Sequence, residues 1–229
     1  MPSGSDLSKT YAIGDVHGCL DQLQRLVELC EQDAGEGQSK LVFLGDYIDR
    51  GPDSRGVIEF LMDLQKWSPD EIICLRGNHE DLLLAALEGQ DAEQSWLLNG
   101  GYATLRSYGA ACATDIPMPH IAWLRSLPLF HDDRKRFFVH AGVHPDRPLD
   151  QQRTRDLLWI KEPFLSSEKV LGRFIVHGHT PLKSGRPEVR INRVNIDTGA
   201  VFGRTLTSAV FDSRGAPPSR FLSVDPNAT

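Results

Sequence analysis

The chain has 229 residues, enough for one large domain with a well-buried core. Its hydrophobic share of 40% and charged share of 24% are those of an ordinary globular protein. A net charge of -6 argues against a nucleic-acid polyanion or an anionic membrane surface as the main partner.

In chain order, the first few residues are polar and Gly/Ser-rich and are expected to fray. Thr10-Tyr11-Ala12-Ile13 reads as a buried strand that breaks off into Gly14-Asp15-Val16-His17-Gly18. Leu20, Leu23, Leu26, Val27 and Cys30 then recur at helical spacing. The stretch from Asp33 to Ser39, rich in Gly and charge, reads as a loop. Leu41-Val42-Phe43-Leu44 is a second strand and ends in Gly45-Asp46-Tyr47-Ile48-Asp49-Arg50-Gly51. A helix is expected over Pro52 to Trp67, with Asp53 or Ser54 as its N-cap. Ile72-Ile73-Cys74-Leu75 is a third strand, closed by Gly77-Asn78-His79-Glu80.

From His79 to about Leu127 the pattern turns helical, broken at Gly100-Gly101 and at Pro117 and Pro119. This segment reads as a helical insertion or cap within a single domain spanning 1–229. Phe137-Phe138-Val139 and Phe174-Ile175-Val176 return to strands, ending in His140-Ala141-Gly142 and His177-Gly178-His179. Val194 to Ile196 and Leu206 to Phe211 are two more, and the tail from Asp212 is expected to be loosely attached. Strand, loop and amphipathic helix in alternation predict an α/β fold, in which polar groups collect at the carboxyl ends of the strands.

No apolar stretch reaches the ~20 residues that cross a bilayer. The opening residues carry neither a basic start nor an apolar core, so no secretory signal is visible. Cys19, Cys30, Cys74 and Cys112 are scattered without a C-x-x-C pair and are expected to be reduced and mostly buried. A cytoplasmic protein is the expectation.

Five strand ends carry hard oxygen donors or imidazoles, the groups that bind divalent metals without sulfur. That repetition points to a two-metal hydrolase. Asp46 is the natural bridge, since a carboxylate gives one oxygen to each ion. Asp15 and His17 project together from a turn that Gly14 and Gly18 permit. Asn78, His140 and His179 supply neutral donors for the second metal. Such oxygen and nitrogen ligands suit Mn, Fe, Zn and Co alike, and two Mn²⁺ ions are the expected cofactors. Asp49 and His79 fit proton chemistry, with a carboxylate orienting an imidazole that protonates a leaving alkoxide. Arg50 offers a fork for phosphoryl oxygens. His177 reads as a structural neighbour, and His120, His131 and His144 as ordinary histidines.

The order GDxHG, GDxxDRG, GNHE, HAG, GH resembles the phosphoprotein phosphatase family of metallophosphoesterases. Trp96-Leu97-Leu98-Asn99-Gly100-Gly101 and Ile196-Asp197-Thr198-Gly199-Ala200-Val201-Phe202 make it most similar to the bacterial and bacteriophage lambda-type serine/threonine enzymes. The resemblance implies a central β-sandwich flanked by helices. It implies one metal on Asp15, His17 and Asp46 and a second on Asp46, Asn78, His140 and His179. It further implies His79 as general acid beside Asp49, and Arg50 as a phosphate clamp. Lys161 stands where relatives carry a second clamping Arg, keeping the charge and losing the fork. The implied substrate is a phosphorylated protein or a small phosphoester, hydrolysed by in-line attack of water held between the metals. The alternative within the same family is dinucleoside polyphosphate hydrolysis. A fold kept only as a binding module would show a missing ligand, and none is missing. A nuclease is disfavoured by the acidic balance and the lack of a basic run.

Overall fold

The computed structural model describes residues 9–212 and 215–226, so the expected fraying of the first residues lies outside the described ones. Two five-stranded sheets form the body. The first contains β1 (Lys9–Ile13), β2 (Ser39–Phe43), β3 (Ile72–Cys74), β9 (Leu206–Phe211) and β10 (Arg220–Val224), in the order β10-β9-β1-β2-β3. The second contains β4 (Phe130–Asp132), β5 (Arg136–Val139), β6 (Phe174–His177), β7 (Glu188–Val189) and β8 (Arg193–Asn195), in the order β4-β5-β6-β8-β7. Within the first sheet β1, β2 and β3 run parallel, and within the second β5, β6 and β8 do.

The strands read as continuous apolar runs because both of their faces are buried. Ala12, Val42, Leu44, Phe138, Val176, Val194, Ala209 and Phe211 pack between the two sheets. Their neighbours one residue along point the other way, as the two-residue period of a strand requires. Tyr11, Ile13, Leu41 and Phe43 meet helices on the outer face of the first sheet, and Phe137, Val139 and Ile175 meet Leu157, Ile160 and Phe164 outside the second. The result is a β-sandwich flanked by helices.

Helix α1 (Leu20–Ala34) buries Leu23, Leu26, Val27 and Cys30 on one face. Helix α2 (Ser54–Trp67) starts at the expected N-cap Asp53, whose side chain accepts from Gly56 N–H at 2.8 Å. The segment beyond β3 comprises α3 (Asn78–Ala86), α4 (Gln90–Trp96), a π turn (Leu97–Gly101), α5 (Tyr102–Tyr108) and α6 (Met118–Ser126). Gly100 breaks the helical path there with φ 117°. Helix α7 (Thr154–Trp159) and strands β4 and β7 have no counterpart in the sequence reading. All three are short, and the two strands are edge strands.

Two expectations need correction. The described part of the tail, 215–226, is not loose: β10 pairs antiparallel with β9 from Arg220↔Val210 to Val224↔Leu206. Gln22 of α1 donates to Val224 O at 3.0 Å and fastens its end. The Pro217-Pro218 pair that suggested a loose tail is the connection into this strand. The cysteines are all free, but only Cys30 and Cys74 are buried, while Cys19 and Cys112 are partly exposed.

Candidate active site

The parallel strands of both sheets end at one edge of the sandwich, and five of those ends deliver the candidate site side chains. Asp15 and His17 follow β1, Asp46 and Asp49 follow β2, and Asn78 and His79 follow β3. His140 follows β5 and His179 follows β6. Loop-to-loop hydrogen bonds hold these ends in register. Asp46 O accepts from Val16 N–H at 3.1 Å and His17 N–H at 2.8 Å, and His140 O accepts from Gly178 N–H at 2.8 Å.

Backbone strain concentrates here. Among the described residues, the non-glycine positions with positive φ are His17, Asp46, Asp49, Arg50, His179 and Arg134, and all but Arg134 belong to these loops. Close approach adds a second constraint at Gly77, where a Cβ would lie 2.3 Å from both the amide N and Oδ1 of Asp46. Only glycine lets the β3 end pass this close to Asp46.

Two clusters of ligand atoms result, each with its atoms within 4.8 Å of one another. The first joins His17, Asp46 and His79, and the second joins Asp46, His140 and His179. His17 Nδ1 donates to Ile48 O at 2.8 Å, so Nε2 presents a bare lone pair 3.4 Å from Asp46 Oδ2. His140 Nδ1 donates to Leu44 O at 2.9 Å, which leaves its Nε2 bare as well, 3.4 Å from Asp46 Oδ1. Asn78 Oδ1 lies 2.8 Å from that Nε2 and 2.8 Å from His179 Nδ1, and the two ring nitrogens are 3.2 Å apart. At most one proton fits among these three acceptor atoms, whereas a cation would satisfy all of them. The donor set thus fits divalent metals, with Asp46 placed to serve two ions.

Electrostatics agree with that reading. Burial pushes the Asp15 and Asp46 carboxyls well up, with added repulsion from Asp197 on Asp15 and from Glu80 on Asp46. Burial likewise drives His17 and His140 well down, and His179 to about 4. Neutral imidazoles are the metal-binding form, and a nearby dication restores the charged form of the carboxylates. Asp15, expected beside His17 and Asp46, lies in neither cluster, and both of its oxygens accept from His179 N–H at 3.1 Å.

His79 belongs to the first cluster through one ring nitrogen only, since its Nδ1 meets Asp49 Oδ2 at 2.7 Å, with both side chains buried. His79 Nε2 lies 4.0 Å from Asp46 Oδ2, so its free nitrogen faces the metal-binding carboxylate. Arg50 reaches the same spot, its Nη1 donating to His17 Nε2 at 2.8 Å. Lys161 is exposed, and its charge acts on His179, lowering that imidazole further after burial. His177 is a structural residue, its Nε2 accepting from Arg193 at 3.2 Å and its ring 4.9 Å from that of Phe164.

Sequence reasoning assigned no role to Glu80, Trp96 or Thr104. Glu80 is fully buried, and its carboxylate accepts the amides of Asp46, Tyr47 and Gly77, each at 2.8 Å. It therefore locks the loop bearing Asp46 to the helix bearing Asn78 and His79. Trp96 and Thr104 both donate to Asp49. Glu80 and Trp96 stand inside quoted motifs, a signal that could have found them, but Thr104 has none.

A family model described as calcineurin-like phosphoesterase matches residues 8–203. Serine/threonine-protein phosphatase 1 of Salmonella typhimurium is 34% identical over 211 residues, covering 87% of this chain and 90% of that protein. Bis(5'-nucleosyl)-tetraphosphatase PrpE of Bacillus thuringiensis is 30% identical over 219 residues, covering 86% of this chain and 87% of its own. A protein serine/threonine phosphatase from Saccharomyces cerevisiae shares the fold, with a TM-score of 0.67 at 15% identity over 97% of this chain and 81% of the other. Strands, ligand-bearing loops and whole-length relatives agree, and the chain belongs to the calcineurin-like phosphoesterase family.

Proposed function

We propose that this metallophosphoesterase is a phosphomonoesterase that removes phosphate from phosphoserine and phosphothreonine in proteins. The observation that carries the reading is the buried His79–Asp49 pair at 2.7 Å, which borders on the Asp46 carboxylate shared by the two ligand clusters. Asp15, His17 and Asp46 would hold one ion, and Asp46, Asn78, His140 and His179 the other. Divalent metals supply Lewis-acid charge for phosphoryl oxygens and acidify water when bound. Manganese is the expected occupant, and a cytoplasmic setting is consistent with four free thiols.

The chain's own residues do the rest. His79 donates a proton from Nε2 to the departing alkoxide, while Asp49 fixes Nδ1 and so sets the ring's orientation. Arg50 turns its fork from His17 to the phosphoryl oxygens, because Nε2 cannot serve the guanidinium and a metal at once. Lys161 supplies a second positive charge at the rim near His179.

A second reading, hydrolysis of dinucleoside tetraphosphates, is favoured by the likeness to PrpE over 86% of the chain. Assays with a phosphothreonine peptide, a nitrophenyl ester and diadenosine tetraphosphate, each with Mn²⁺, separate the two. Turnover of the peptide well above the tetraphosphate supports the proposal. The reverse order overturns it in favour of the second reading.

A further inference from the structure

We propose that Thr104 is a positioning residue for the proton-donating pair, brought by α5 to a loop residue 55 positions earlier in the chain. The inference rests on the reading of His79 as general acid. Asp49 holds a left-handed backbone with φ 72°, a conformation a non-glycine residue keeps only when its surroundings enforce it. Thr104 grips both parts of that residue. Its hydroxyl donates to Asp49 Oδ1 at 2.6 Å, and the same oxygen accepts the Asp49 N–H at 2.9 Å. Ser54 Oγ lies 3.0 Å from the Thr104 oxygen and 3.0 Å from the Asp49 amide, closing a small buried ring.

With Oδ1 engaged by Thr104, Oδ2 is the oxygen turned to His79. Trp96 Nε1 bridges both oxygens at 3.0 Å from the far side. The carboxylate plane is therefore fixed by donors from α4 and α5 before the imidazole meets it. Asp49, Thr104 and Ser54 are all fully buried, so no water substitutes for a lost hydroxyl. The hydrogen bonds of the Thr104 hydroxyl go to Asp49 and Ser54, not to the ligand clusters, so its effect passes through Asp49.

The test is leaving-group dependence in Thr104→Val, which keeps shape and removes the hydroxyl. Thr104→Ser, which restores it, is the rescue, and Thr104→Ala stands in if the valine variant does not fold. kcat is measured on a phosphoserine peptide, whose alkoxide needs a proton, and on nitrophenyl phosphate, whose phenolate needs little. The expected result is a fall on the peptide about tenfold larger than on the ester. KM and metal content should be unchanged, and serine should restore the rate. Equal losses on both substrates, no loss, or failure of serine to rescue overturns the proposal. His79→Asn is run alongside. If it shows the leaving-group split and Thr104→Val does not, the proposal alone fails. If His79→Asn shows no split, the general-acid reading fails and takes the proposal with it.

Discussion

Asp46 Oδ1 lies 3.4 Å from His140 Nε2, while its other oxygen lies 3.4 Å from His17 Nε2. One buried carboxylate thereby joins the two ligand clusters, and the positive φ of Asp46 and the bareness of Gly77 exist to place it there.

Two divalent ions per chain are the expected stoichiometry after purification with Mn²⁺, measured by elemental mass spectrometry. Chelation should abolish phosphatase activity. Asp46→Asn should lose affinity for both ions together, whereas His17→Ala and His140→Ala should each weaken one, by about 10–100-fold or more. Full activity with one ion, or activity that survives chelation, contradicts the two-metal site.

The acid pair makes a prediction about turnover. His79→Asn should lower kcat on alkyl phosphates by about 10²–10⁴-fold with metal content unchanged. Asp49→Asn should lose less, since it misorients the ring without removing it. The same losses on a nitrophenyl ester would rule out proton donation by His79.

The pair also sets a pH dependence. Burial pushes the Asp49 carboxyl up, and burial with the Arg50 charge pushes the His79 imidazole down. Bound dications oppose the first shift and strengthen the second. The proton that Nε2 donates is lost as pH rises, so the rate on alkyl phosphates should show an alkaline limb, and a nitrophenyl ester should show a weaker one. Identical alkaline limbs for both substrates would refute this assignment.

Arg50 and Lys161 should separate in kinetics. Lys161→Ala should mainly raise KM, because an exposed point charge contacts the ground-state phosphate. Lys161→Arg should stay active, and Arg50→Ala should cost more than either, since Arg50 lies beside the ligand atoms. Parent-like kinetics for Lys161→Ala on peptide and ester would assign that lysine to the solvated surface.

Away from the site, Asp33 joins α1 to the first sheet. It accepts from Tyr11 Oη at 2.6 Å, from Lys9 Nζ at 3.2 Å and from Arg220. Burial opposes its ionisation, but the hydrogen bonds from Tyr11, Arg220 and Lys9 outweigh that and hold the carboxyl down at about 2. A depressed folded-state value means the stabilisation is present above about pH 4 and fades as pH falls toward 2. Asp33→Asn should lower Tm by about 2–4 °C at neutral pH. Melting curves of parent and variant should converge near pH 2, and a constant gap down to that pH would contradict the linkage.

The amino-acid sequence by itself determined the α/β class, the parallel strands β1, β2, β3, β5 and β6, and the side chains that converge on the edge. These were legible because each signal is local: an apolar run buried on both faces stops at a Gly-flanked group of ligands. Tertiary structure alone decided where β10 goes. Its partner is β9, and Arg220 to Val224 run exposed, half-buried, half-buried, exposed and buried, so no alternation marks an edge strand in advance. It alone showed that Glu80 clasps the Asp46 loop and that Thr104 grips Asp49. A threonine inside a short helix carries no local mark of a partner 55 residues away, because that contact exists only once the helices have packed onto the sheet.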